Sequence, residues 1–85
     1  MPKRVDTNQK EIVAGLRKIG ATVQHLHTIG KDCPDILVGY RNKNYVFEIK
    51  YLNGKLTFCQ VAWHTRWRGQ VDVVSSVEEA LEIMK

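Results

Sequence analysis

No apolar run in this sequence approaches the ~18 residues that a membrane span requires. The basic start Met1-Pro2-Lys3-Arg4 leads into Asp6-Thr7-Asn8-Gln9 rather than an apolar segment, so it does not read as a secretory signal. Cysteine is scarce: Cys33 and Cys59 could close at most one disulfide, which excludes a disulfide-stapled scaffold. They read as small, partly buried thiols of a cytoplasmic protein. With His25, His27 and His64 they offer no CxxC or HxxxH spacing, so a zinc site is not indicated. There is no repeat, low-complexity tract or linker. Residues 1–85 therefore read as one domain, just above the ~70–80 residues where a lone core usually needs a staple.

What is present is globular in kind, with 44% hydrophobic and 26% charged residues. Thirteen Lys and Arg against nine Asp and Glu give a net charge of +4. That excess favours a polyanionic partner but is too modest to name one.

Apolar periodicity predicts a helix over 8–19, where Ile12, Leu16 and Ile19 recur with Val13 beside them and Gly20 stops the run. A β-branched stretch over 22–28 predicts a strand, followed by a loop punctuated by Gly30 and Pro34. Residues 35–40 form a continuous apolar strand, 41–44 a polar turn, and 45–51 the next strand. A helix is expected over 57–68 and a short strand over 70–74. A last helix starts from Ser75 or Ser76, with Val77, Ala80, Leu81 and Met84 as its buried stripe. The order α-β-β-β-α-β-α implies an α/β fold, a mixed sheet with helices packed on it.

If the 41–44 turn spans four residues, Tyr40 pairs with Tyr45, Asp35 faces Lys50 and Leu37 faces Glu48. The two-residue alternation of strands then puts Asp35, Glu48 and Lys50 on one face at one end of the hairpin. Two carboxylates there suit Mg²⁺, which takes oxygen ligands and keeps waters for a phosphate. The backbone carbonyl of Ile49 could add a third oxygen. Lys50 could orient or help deprotonate a water, or neutralise charge developing on phosphorus. The plain alternative is a salt-bridged strand pair. Against it stands Glu48 in an otherwise apolar run, where an unpaired carboxylate is costly.

In order along the chain, Gly30…Pro34-Asp35, Glu48-Ile49-Lys50 and Leu56-Thr57…Gln60…Trp63-His64 resemble the PD-(D/E)xK nucleases. More closely they resemble the virus-type replication-repair nuclease domain, VRR-NUC, over nearly the whole chain. The resemblance implies a restriction-endonuclease-like α-β-β-β-α-β core with a C-terminal helix. It implies that Asp35 and Glu48 hold the metal and Lys50 is the catalytic lysine. Glu11 would assist the metal site or its waters, and Gln60 would be an accessory polar residue. Local competitors stand beside the last two: Asn8-x-x-Glu11 and Thr57-x-x-Gln60 are also helix-capping patterns. The Gly-to-Pro loop carries Asp32 as a spare acid near the site.

The activity so implied is Mg²⁺-dependent hydrolysis of DNA phosphodiester bonds, with Mn²⁺ able to substitute and no organic cofactor. Branched DNA such as four-way (Holliday) junctions is the implied substrate, in DNA repair or replication, and the implied setting is the cytoplasm of a bacterial host with the protein encoded by a phage. A homodimer would pair two active sites, and so small a core favours a partner. Lys31, Lys43, Lys55, His64, Arg66 and Arg68 are candidates for DNA contact. Trp63 and Trp67 lie one turn apart; core packing is their ordinary use, with base stacking or an interface as the alternative. Two rival functions remain: a non-catalytic nucleic-acid-binding domain that keeps the nuclease fold, and an interaction subunit.

Overall fold

The structure is a computed structural model that describes residues 2–30, 32–52 and 54–85, and the side chains among them from Asn8 onward. The elements run α1 (Pro2–Lys18), β1 (Thr22–His25), β2 (Ile36–Tyr40), β3 (Lys43–Ile49), α2 (Phe58–Arg66), β4 (Asp72–Val74) and α3 (Val77–Met84). The sheet order is β1-β2-β3-β4. The first three strands are antiparallel and β4 joins β3 in parallel through the α2 crossover. This is the expected α/β, restriction-endonuclease-like order.

Helix α1 begins well before residue 8, because Pro2 suits a first helical position, where a missing N–H is no loss. Asn8 is thus inside the helix and cannot cap it. The far end closes as the sequence suggests. Gly20 takes φ 96°, its N–H donates to Arg17 O (3.0 Å), and Ala21 N–H donates to Leu16 O (3.1 Å). That is a Schellman stop, which leaves Ile19 outside the helix and 38% exposed rather than in the buried stripe.

One face of the sheet carries the core. Ile36 and Val38 of β2, Phe47 and Ile49 of β3 and Val74 of β4 pack against Ile12, Val13 and Leu16 of α1 and Ala80 and Met84 of α3. Ser76 caps α3 by accepting from Glu79 N–H. Helix α2 contributes no fully buried residue. Trp63 and Trp67 therefore stay out of the core and stack on each other, ring centroids 4.7 Å apart.

The hairpin register differs from the expectation. Arg41 (φ 52°) and Asn42 (φ 69°) both adopt left-handed backbone and form a two-residue turn, so Tyr40 pairs with Lys43 and Ile36 with Phe47. The shift from the four-residue turn is two positions. An even shift leaves every side chain on its expected face. Continued one step, the register brings Asp35 beside Glu48, not Lys50.

Leu16 is fully buried while Ile19 is not. Leu16→Ala is expected to lower unfolding free energy by about 2–5 kcal/mol in urea titrations. Ile19→Ala should stay within about 0.5 kcal/mol of wild type.

Candidate active site

Glu48 follows Phe47 in β3, so alternation turns its carboxylate to the face opposite the core. It is nevertheless only 2% exposed. Gln60 Nε2 on α2 donates to Glu48 Oε2 at 3.3 Å. Glu48 Oε1 has no hydrogen-bond partner among the described residues, and neither does His64 Nε2, which lies 4.0 Å from it.

Asp35 sits where the β2–β3 ladder ends. Its backbone N–H donates to Phe47 O (3.1 Å) and its Oδ2 accepts from Ile49 N–H (2.7 Å). The side chain thus takes the place of a ladder carbonyl and is held beside Glu48. The ammonium of Lys50 is near enough for its field to act on both Glu48 and His64. The Lys50 backbone is fixed twice, its N–H to Val74 O (3.1 Å) and its carbonyl by Asn8 Nδ2 (3.1 Å).

These contacts set the charge states. Burial, then the negative charge of Asp35 and a hydrogen bond to it, push the Glu48 carboxyl up to about 8; Lys50 offsets only part of this. Burial, then Lys50, push His64 below its ordinary value. Without a further cation, Glu48 holds a proton and His64 is neutral near pH 7, so their 4.0 Å approach is not an ion pair. Cys33 lies close enough for burial and both carboxylates to raise its thiol, which keeps it protonated and unreactive.

The residues present fit a hard divalent cation. A buried carboxylate oxygen lacks a partner, a second carboxylate is pinned beside it, and the pair is short of positive charge. Among the described residues no three His, Cys, Asp or Glu side chains converge as a protein-only cage. Two carboxylates with waters and substrate oxygens are the set that Mg²⁺ accepts. Asp35 and Glu48 are the side chains that would hold it.

Asp35, Glu48, Lys50, Gln60 and His64 are brought together. Glu11 is not: it is exposed on α1, and Asp32 likewise does not complete a three-acid group. Asn8, on the inward side of the same helix, reaches the site in place of Glu11. Asn8, Ile12 and Leu16 follow at four-residue steps, and an amide on a buried stripe is the signal that reveals such a contact. Gln60 performs both of its competing roles, since its Oε1 accepts from Thr57 N–H (2.9 Å) while its Nε2 holds Glu48. Arg66, Arg68 and Lys55 are exposed around α2. Lys43 sits at the turn end of β3, five residues or about 17 Å from Glu48, too far to join this centre. Lys31 lies outside the described residues.

Glu48 binds its proton more tightly folded than unfolded, so in EDTA stability should fall as pH rises from about 5 through about 8. Glu48→Gln should flatten that decline, measured by thermal melting across pH. Parallel curves for the two proteins would contradict the assignment. Gln60→Glu should retain the α2 cap by circular dichroism while steepening the decline, because it replaces a donor to Glu48 with a like charge.

Comparison with protein-family models and with curated proteins gives no match. Among solved structures the chain is similar to a VRR-NUC domain, with a TM-score of 0.75 and 26% identical residues over 94% of this chain and 92% of that one. Fold and coverage agree with the resemblance in the sequence: the chain has the VRR-NUC domain fold, which supports a nuclease-family domain.

Proposed function

We propose that this protein is a metal-dependent DNA endonuclease that hydrolyses phosphodiester bonds in branched DNA, four-way junctions among them, as a homodimer. The observation that carries the reading is the buried Glu48 carboxylate, one oxygen unpartnered, beside Asp35 and in the field of Lys50.

In this reading Asp35, Glu48 and the Ile49 carbonyl hold Mg²⁺, or Mn²⁺ in its place. A bound divalent cation supplies charge neutralisation at the phosphate and lowers the pKa of water. Asp35 keeps its orientation through Ile49 N–H, and Gln60 fixes the Glu48 rotamer. The Lys50 ammonium orients the attacking water and stabilises negative charge growing on the phosphate. Arg66, Arg68 and Lys55 hold phosphates away from the scissile one.

The homodimer is supported by large apolar groups left exposed near and on α2: Leu52 (76%), Phe58 (88%), Val61 (47%) and Trp67 (45%). A second copy would cover them and set two sites on two strands. Sedimentation should give a dimer that Phe58→Asp dissociates; a wild-type monomer at assay concentration removes the paired-strand scheme.

Labelled linear, flap and four-way-junction DNA, each with Mg²⁺, Mn²⁺ or EDTA, test the activity. Cleavage should need the divalent ion and favour branched substrates. Glu48→Ala and Lys50→Ala should each slow it by roughly 10²–10⁴-fold while retaining DNA binding. Cleavage in EDTA, or wild-type rates in both variants, would overturn the reading.

A further inference from the structure

We propose that the groove between α1 and β1 is the path of an unpaired DNA strand running from the scissile phosphate, an inference that rests on the nuclease reading above. The groove is an open cavity of about 630 Å³ whose lining includes Asp35, a residue it shares with the candidate active site. Lys10 and Arg17 line it from α1 and His25 and His27 from β1 and the residues just after it. Among the described lining residues Asp35 is the only acidic one, and it also belongs to the candidate site.

Several features make this a prepared surface and not a chance cleft. Lys10 and Arg17 are two helical turns apart, about 10 Å along the axis, so they can meet successive phosphates. The Arg17 guanidinium is held in place by donating to Val23 O (3.3 Å), which leaves other N–H groups of its fork for a phosphate. His25 is held in place by Gln9 of α1, Nδ1 and Nε2 being 3.2 Å apart. The His25 and His27 rings meet edge to face at 5.9 Å and give flat surfaces beside the cationic wall. Val13 and Ala14 supply an apolar floor for sugar and base faces.

Size then selects the form of the nucleic acid. The volume is that of a small-ligand cleft, suited to a short unpaired segment and too small for a double helix. A cationic wall with flat and apolar surfaces is the combination that single strands use without base reading. The groove would therefore favour DNA with a free strand at the cut site over a continuous duplex.

Fluorescence anisotropy in EDTA, where no cleavage occurs, measures this with a blunt duplex and with the same duplex carrying a single-stranded tail. Wild type should bind the tailed duplex several-fold more tightly. Lys10→Ala and His27→Ala should erase that preference. Lys10→Ala should also reduce the salt slope by roughly 0.7, the share of one phosphate contact on a single strand. Both residues lie at the groove, and His27 is exposed, so unchanged melting temperatures are expected. Lys18→Ala removes the same charge from an exposed position outside the groove and should retain the preference. Equal wild-type affinity for the two duplexes, or an equal loss in Lys18→Ala, would overturn the proposal. Because the readout is binding, it is separate from chemistry: a tail preference without cleavage leaves the groove standing and defeats the nuclease reading, and the converse defeats the groove alone.

Discussion

The structure depends on the burial of one carboxylate. Glu48 lies between Phe47 and Ile49, whose side chains are in the core, so β3 cannot move Glu48 to solvent without taking both out of it. A carboxylate in that position must find a counter-charge or keep its proton. Near neutral pH the protein alone leaves it protonated, because Asp35 is close and Lys50 compensates only in part. The hydrophobic packing of one sheet face thus creates an electrostatic demand on the other, which the divalent cation of the proposed function would meet.

The scaffold serves this pair through backbone geometry more than through packing. The two-residue turn at Arg41-Asn42 sets the register, and Asp35 then closes the ladder with its side chain on Ile49 N–H. The parallel strand β4 fixes Lys50 N–H, and an amide from α1 fixes its carbonyl. Helix α2 buries little, yet its first turn aims Gln60 at Glu48 while capping itself on Thr57. The site is therefore assembled from three layers, and the layer with the least apolar anchoring carries the most exposed apolar surface.

Much of this was legible in the sequence because it follows from period and parity. The alternation that put Asp35, Glu48 and Lys50 on one face survived a wrong turn length, since the error was an even number of residues. The core stripe on α1, its stop at Gly20 and the start of α3 at Ser76 were equally local signals. What escaped depends on contacts between distant segments. Asn8 passed for a helix cap because the start at Pro2 has no apolar periodicity to mark it. Glu11 was named a site residue by the resemblance alone; it is exposed on α1, and Asn8 holds the inward place. The tryptophans were read toward the core by their size, whereas α2 lies where they stack on each other instead.

The central claim is that Asp35 and Glu48 together bind a divalent cation by displacing a proton. Isothermal titration of Mn²⁺ into the metal-free protein at pH 7, in two buffers of different ionisation enthalpy, reads both events at once. The account predicts binding with release of roughly one proton, since the Glu48 carboxyl sits at about 8. It also predicts that Glu48→Gln loses both the binding and the release. Binding of equal strength in Glu48→Gln, or no binding to the wild type, would contradict it.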